Sequence, residues 1–206
     1  MSYSLLRAYI NEALSMQADV YDDPDVPHGL SFFEVTKYLS NHFGKAKIAL
    51  TSGPLDLERN YDPSDGFVNK PAGLWYGCGT AWLDWLEREG KEPDPEEYQI
   101  WSLKIDMSKV KSITSQQNLQ KFSYTNADYS AYSGKGPVGV DWKRVSQKFS
   151  GIECCPYPVG EDFMIRYRFL WYAAIDVSSG CIWDTSAITN SMLVAEKKED
   201  GWEVYV

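Results

Sequence analysis

The order of local patterns along the chain constrains the fold more than any other feature of the sequence. Apolar residues recur at helical spacing in residues 5–14 and again in 32–43. From there on, short apolar runs separated by turn residues indicate strands with only short helices between them. Helices followed by strands, in place of a regular alternation, predict an α+β fold with a mixed, curved sheet. We therefore expect one domain over residues 1–206, helical at 1–46 and strand-rich at 47–206.

Local signals also place individual elements. Ser31 followed by Glu34 forms a capping box, which predicts the start of the second helix, and Gly44 is typical of its end. A further short helix is expected to begin near Thr80. Short apolar character between turn signals predicts strands at 48–50, 74–76, 101–105, 152–154 and 169–175.

Composition narrows the range of partners. A formal net charge of -9 at pH 7 argues against a broad basic surface for nucleic acid or anionic lipid. No apolar run approaches the roughly 20 residues needed to span a bilayer. The first residues also lack the basic and apolar regions of a secretory signal. The chain is therefore expected to be cytoplasmic and to have no membrane partner.

The four cysteines do not form a recognisable motif. Cys78 and Cys181 stand alone, and Cys154 and Cys155 are adjacent, so neither a CxxC pair nor zinc-ligand spacing is present. Adjacent cysteines rarely bridge each other. We predict four reduced thiols and no metal site built on them.

The most unusual stretch is residues 70–90, which holds three tryptophans, four glycines and a tyrosine. Gly73 leads into a predicted strand on which Trp75 and Tyr76 must point to opposite faces. One ring would then lie in the core and the other in a cleft, where it can stack on a flat ligand. We expect Tyr76 to be the cleft residue. The alternative is that all these aromatic residues only fill the core.

Three acidic residues are candidates for chemistry. Glu153 lies on a short apolar strand, where partial desolvation favours pairing or function, although a solvent-facing position is equally compatible with the pattern. Asp176 follows an apolar run and precedes a Ser-Ser-Gly turn, with Asp184 beyond it. A turn in which Asp176 only bonds backbone amides is the alternative.

These stretches carry a resemblance. The segment "KPAGLWYG", the segment "SGIECCPY" and the segment "WYAAIDVSSGCIWD" together resemble an uncharacterised family of phage and bacterial proteins with Lys-Pro-x-Gly-Leu-Trp and Ser-Gly-Cys-Ile-Trp motifs. The resemblance covers roughly residues 48–188. It implies a protein that acts in conflict between phage and host, in the host cytoplasm, on a host protein or another macromolecular acceptor.

A more distant resemblance bears on chemistry. The segment "PAGLWYG" is similar to a strand of the ADP-ribosyltransferase fold whose tyrosine stacks on the nicotinamide of NAD. That resemblance implies that Tyr76 or Trp75 is the stacking ring and that Glu153 stabilises the developing cation, with Asp176 as the next candidate. Where the fold has His or Arg on an earlier strand, this chain has Thr51 and Ser52, whose hydroxyls can bond a ribose. The residues predicted to bind NAD are therefore Thr51, Ser52, Gly73, Trp75 and Tyr76.

Three functions follow as hypotheses. The first is an NAD-dependent ADP-ribosyltransferase with NAD as substrate, for which the residue types suit cleavage of the nicotinamide bond. The second is a non-enzymatic binding protein of the same fold, directed at a phage or host partner. The third is a metal-dependent nuclease that uses Glu153, Asp176 and Asp184 as ligands of a divalent cation.

Overall fold

A computed structural model describes residues 28–66, 70–93, 98–128, 139–158 and 168–205. The helix expected at 5–14 lies outside these residues. The described part combines helices with a mixed sheet, which confirms the predicted α+β class. In this part of the chain, no helix is both long and apolar enough to cross a bilayer.

Five helices and ten strands form in the described residues. The helices are α1 (Phe32–Phe43), α2 (Ala81–Arg88), α3 (Gln116–Thr125), α4 (Trp142–Ser146) and α5 (Leu170–Ala173). The strands are β1 (Lys47–Ser52), β2 (Leu74–Cys78), β3 (Tyr98–Ile105), β4 (Val110–Ser112), β5 (Ala127–Asp128), β6 (Gly139–Val140), β7 (Gly151–Cys154), β8 (Ser179–Ile182), β9 (Ile188–Lys198) and β10 (Gly201–Val204).

Eight of the strands form one sheet in the order β10-β9-β3-β1-β2-β8-β7-β4. The neighbouring strands are antiparallel except for β4 and β7, which pair in parallel. Strands β5 and β6 form a separate antiparallel pair. In this order β8 lies between β2 and β7, so that residues far apart in sequence become neighbours across three strands.

Both predicted signals around α1 are confirmed. The Ser31 hydroxyl accepts a hydrogen bond from the Glu34 backbone N–H at 3.3 Å, and the Glu34 carboxylate accepts one from the Ser31 N–H at 2.9 Å. Gly44 follows the last helical residue. The prediction that a short helix begins near Thr80 is also confirmed, because Thr80 immediately precedes α2.

Four of the five predicted strands are present, and the prediction of a strand at residues 169–175 is wrong. Residues 169–175 contain the short helix α5. A short apolar run is compatible with a buried strand or a buried helix, and periodicity alone does not separate them. Here Trp171 and Tyr172 are both fully buried. The Trp171 Nε1–H donates a hydrogen bond to the Ser123 hydroxyl of α3 at 3.0 Å, so packing against a helix distant in sequence sets the conformation.

Two groups of helices pack beside different parts of the sheet. Helices α1 and α2 bury apolar residues against β1, β3, β9 and β10, in a cluster that includes Leu39, Ile48 and Trp202. Helices α3, α4 and α5 form a second cluster with β7 and β8, and Trp75 of β2 packs against this cluster. Because Ile48 lies opposite Gly77 in the β1–β2 register, Trp75 shares the sheet face of Ile48.

The capping box gives a stability prediction. Ser31→Ala removes the side-chain acceptor at the N-terminus of α1 and should lower the free energy of unfolding by about 1 kcal/mol. Ser40→Ala makes the same chemical change at an exposed position inside α1 and should be neutral or slightly stabilising. Urea unfolding followed by circular dichroism compares the two variants. Equal losses would contradict the role of Ser31 as a cap.

Candidate functional site

A cleft opens where β1 and β2 separate. The two strands pair at Lys47–Cys78 and Ile48–Gly77, whereas β1 remains paired with β3 all the way to Ser52. A cavity of about 370 Å³ lies at this divergence. Its walls come from both strands, from the connection that follows β1 and from α2. The residues that line it are Ile48, Leu50, Thr51, Ser52, Pro54, Leu55, Asp56, Arg59, Tyr61, Gly73, Leu74, Trp75 and Trp82.

Four of the five residues predicted to bind a cofactor meet in this cleft. Thr51 and Ser52 lie at the end of β1, and Gly73 and Trp75 lie on the facing segment. The Thr51 hydroxyl donates a hydrogen bond to the Gly53 carbonyl at 2.7 Å, and Trp75 is half-buried. The structure therefore brings together residues that are more than twenty positions apart in sequence.

Gly73 has a reason to be glycine that is independent of any ligand. A Cβ atom at this position would lie 2.5 Å from the Cys181 Sγ and 2.5 Å from the Ile182 carbonyl oxygen. The absence of a side chain lets the start of β2 approach β8. We therefore assign Gly73 to close strand packing at the cleft wall.

Charged groups surround the aromatic residues of the cleft. The Arg59 guanidinium lies 4.7 Å from the centre of the Tyr61 ring, and the Lys70 Nζ lies 5.2 Å from the centre of the Trp75 ring. Burial lowers the pKa of Lys70, and the negative charge of Asp176 opposes this effect. The Asp56 carboxylate accepts hydrogen bonds from the backbone N–H groups of Glu58 and Arg59, two and three positions further along the loop. Among the described residues that line the cleft, Arg59 is thus a cation close to a flat ring, and Lys70 lies beside the ring of Trp75.

Tyr76 does not face this cleft, so the prediction that it is the cleft residue is wrong. The prediction that Trp75 and Tyr76 differ in environment is right, but Trp75 is the one that lines the cavity. Tyr76 is only 2 % exposed, and its hydroxyl donates a hydrogen bond to the Glu153 carboxylate at 2.8 Å. Glu153 is 5 % exposed. The two residues contact each other on the sheet face opposite to that of Trp75.

Gly180 explains how Tyr76 reaches Glu153 over an intervening strand. Tyr76, Gly180 and Glu153 occupy one row across β2, β8 and β7. A Cβ atom on Gly180 would lie 2.3 Å from atoms of the Tyr76 ring. The missing side chain leaves the space through which the ring crosses β8.

Lys47 completes the charge balance around Glu153. Its Nζ lies 2.5 Å from the Glu153 Oε2, 3.5 Å from the Cys78 Sγ and 5.8 Å from the centre of the Tyr76 ring. Burial, followed by the negative charge of Glu153, raises the pKa of Tyr76 far above its ordinary value, so the phenol stays protonated and remains a donor. A buried carboxylate that is paired with an ammonium and a phenol is a stable arrangement.

The prediction of four reduced thiols is wrong. Cys78, the last residue of β2, and Cys155, next to the end of β7, form a disulfide across a sequence separation of 77 residues. Their Cα atoms are 6.4 Å apart, which suits a disulfide. Cys154 and Cys181 are free thiols, both buried. We call Lys47, Tyr76, Cys78, Glu153 and Cys155 the cross-strand cluster.

The three carboxylates proposed for a nuclease are not gathered in one place. Asp176 is exposed and precedes β8, whereas Asp184 follows β8 and accepts hydrogen bonds from the Ser150 hydroxyl and the Ser186 N–H. The hydrogen bonds from Ser186 and Ser150 hold the pKa of Asp184 below its ordinary value. In the described residues, the group with metal-ligand spacing is Cys78, Glu153 and Cys155. Neither aspartate belongs to it.

Sequence reasoning missed Lys47, Arg59 and Gly180. Lys47 is the first residue of an apolar strand. Arg59 lies in a segment rich in turn-forming residues, and Gly180 belongs to a Ser-Ser-Gly stretch that favours a turn. A lysine at the first position of a buried strand is a weak signal of a buried partner. The other two positions have no signal of their own, because their roles depend on neighbours that are distant in sequence.

Comparisons of the chain with protein-family models, with curated proteins and with solved structures find no match. The cleft and the cross-strand cluster are therefore the features of the chain that bear on its function.

The bond between Tyr76 and Glu153 gives a second stability prediction. Tyr76→Phe keeps the ring but removes the hydroxyl donor, and should lower the free energy of unfolding by about 1.5–3 kcal/mol, the range for hydrogen bonds to charged groups. Tyr124→Phe is the matched control, because Tyr124 is 43 % exposed, and should change stability by less than about 0.5 kcal/mol. Denaturant unfolding measures both. A Tyr76→Phe variant as stable as the control would show that the bond contributes nothing.

Proposed function

We propose that this protein binds NAD, or a nucleotide of the same class, in the cleft between β1 and β2. The observation that carries the proposal is the meeting of Thr51, Ser52 and Trp75 at one cavity. The resemblance to ADP-ribosyltransferases implies a stacking ring at Trp75 or Tyr76 and ribose contacts at Thr51 and Ser52. The ADP-ribosyltransferase-like fold is part of the same proposal. A mixed sheet in an α+β chain is compatible with it.

The cleft offers each kind of contact that a nucleotide needs. The half-buried Trp75 ring, with Tyr61 and Trp82 near it, can stack on a flat base or on nicotinamide. The hydroxyls of Thr51 and Ser52 can hydrogen-bond a ribose. Arg59 supplies a planar cation that suits a phosphate, and guanidinium groups bind phosphate through paired hydrogen bonds.

The size of the cavity favours one half of a dinucleotide. About 370 Å³ lies at the small end of the range for ligand pockets, roughly 300–1,000 Å³. We therefore propose that the nicotinamide riboside half enters the cavity against Trp75. The remainder of the ligand would extend along the exposed loop that carries Asp56 and Arg59.

The position of Glu153 favours binding over Glu153-dependent cleavage. Stabilisation of a developing cation requires a carboxylate placed beside it. Glu153 is buried on the opposite sheet face and is already paired with Lys47 and Tyr76. Among the described residues that line the cleft, Asp56 is the one with a carboxylate. Of the hypotheses drawn from the sequence, the non-enzymatic binding protein therefore fits the geometry better than a transferase with Glu153 as its catalytic residue.

Binding can be tested by isothermal titration calorimetry with NAD. Trp75→Ala removes the stacking surface and should weaken binding about tenfold, which corresponds to about 1.4 kcal/mol. Trp85→Ala is the matched control, because Trp85 lies on α2 outside the cleft lining, and its affinity should stay within about twofold of the wild type. Failure of the wild type to bind NAD, or equal weakening in both variants, would contradict the proposal.

A nicotinamide-release assay tests the assignment of Glu153 separately. We expect any release from NAD by the wild type to persist in Glu153→Gln, because this residue lies on the face away from the cleft. Release that disappears in Glu153→Gln while the variant remains folded and still binds NAD would restore Glu153 to a transferase role. Asp56→Asn is the companion variant, since it changes the carboxylate of the cleft itself.

A further inference from the structure

The cross-strand cluster has a chemical arrangement that the NAD cleft does not use. On the sheet face opposite the cleft, a disulfide, an ammonium and a carboxylate meet within a few ångströms. The Cys78 Sγ, the Cys155 Sγ and a Glu153 carboxylate oxygen all lie within 4.8 Å of one another. The ammonium of Lys47 that pairs with Glu153 thus also contacts one sulfur of the disulfide.

We propose that the Cys78–Cys155 disulfide is redox-active, that it exchanges with thiols of low molecular weight, and that Lys47 stabilises the Cys78 thiolate formed on reduction. This site is independent of the proposed binding of NAD. In this proposal the two cysteines are the reacting groups, and Lys47 stabilises the product thiolate by its charge.

The contacts of Lys47 carry this inference. Its Nζ lies 3.5 Å from the Cys78 Sγ, close enough to form a charge-assisted contact with a thiolate. A nearby ammonium favours the thiolate and makes that sulfur the better leaving group. The Lys47 side chain is 24 % exposed, and both cysteines of the disulfide are half-buried. A small thiol can therefore approach the bond from the solvent.

Glu153 and Lys47 have opposite effects on the equilibrium for reduction of the disulfide. Reduction creates a thiolate near a carboxylate, and two negative charges at this distance repel each other. Lys47 lies against both groups and offsets the repulsion. Removal of the ammonium should therefore disfavour the reduced form, whereas removal of the carboxylate should favour it.

The same ammonium argues against a metal site. Two cysteines and a glutamate are suitable zinc ligands when the cysteines are reduced. However, Lys47 already occupies the space beside the Glu153 Oε2 and the Cys78 Sγ. A divalent cation bound there would be repelled by the ammonium and would have to compete with it for the carboxylate. Thiol exchange is thus the chemistry that the complete set of contacts favours.

The reaction balances with two equivalents of thiol. A thiolate RS⁻ attacks the Cys155 Sγ, a new S–S bond forms, and the Cys78 sulfur leaves with the electron pair as a thiolate beside Lys47. A second RS⁻ attacks the sulfur of R in the mixed disulfide, which releases RSSR and the Cys155 thiolate. Of the two protons lost from 2 RSH, one protonates Cys155 and the other goes to solvent. The protein disulfide is reduced and the two thiols are oxidised.

The other two cysteines do not interfere with a measurement. Cys154 is 1 % exposed and Cys181 is fully buried. Burial raises the pKa of both thiols, which keeps them protonated and unreactive. Alkylation of the native protein therefore reports the state of Cys78 and Cys155.

The experiment is a redox titration of the full chain, without NAD, in mixtures of reduced and oxidised glutathione. Alkylation followed by mass spectrometry gives the equilibrium constant for reduction. Lys47→Met should lower this constant about tenfold, which corresponds to about 30 mV, and should slow reduction. Lys47→Arg should retain most of the wild-type value. Lys45→Met is the matched control at an exposed position and should leave the constant unchanged.

Glu153→Gln is a second test, which remains available if Lys47→Met does not fold. Its predicted effect on the equilibrium constant for reduction is opposite to that of Lys47→Met. It keeps an acceptor for Tyr76 but removes the negative charge, and should raise the equilibrium constant for reduction. Opposite shifts in the two variants support the proposal. A constant within twofold of the wild type in every variant that folds would overturn it. Stoichiometric zinc binding by the reduced wild type, with no dependence of the glutathione equilibrium on Lys47, would also overturn it.

Discussion

The buried carboxylate of Glu153 is the constraint on which the centre of the sheet depends. A charged group that is 5 % exposed is costly unless it is paired and hydrogen-bonded. Lys47 comes from β1 and Tyr76 from β2, whereas Glu153 belongs to β7. Three strands must therefore be in register before this charge is neutralised. Gly180 on β8 allows the arrangement because it leaves room for the Tyr76 ring.

A single strand, β2, links the two sites that we propose. Alternation along the strand directs Trp75 towards the cleft and Tyr76 towards the cross-strand cluster. The cleft exists because β1 keeps its pairing with β3 after it has separated from β2. The disulfide ties the end of β2 to the residue that follows β7. The two faces of the sheet at β2 thus carry different groups, the aromatic cleft on one face and the cross-strand cluster on the other.

Features set by near neighbours in the chain were predictable. The capping box of Ser31 and Glu34 and the start of α2 near Thr80 depend on contacts within a few residues. Four of the five predicted strands are present for the same reason. The error at residues 169–175 arose where the packing of Trp171 against α3 decided between two conformations that suit the same apolar run. The prediction that Tyr76 lines the cleft was wrong, because the sequence shows that adjacent strand residues alternate but not which face holds a cleft.

The sequence by itself determined the α+β class and most strand positions, since residue type and spacing act over short distances. Only the tertiary structure decided that Glu153 is a paired core charge and that Cys78 meets Cys155. Both results require β8 to lie between β2 and β7. Sequence spacing carries no record of that order, because strand pairing brings together residues as far apart as 77 positions through the packing of the whole sheet.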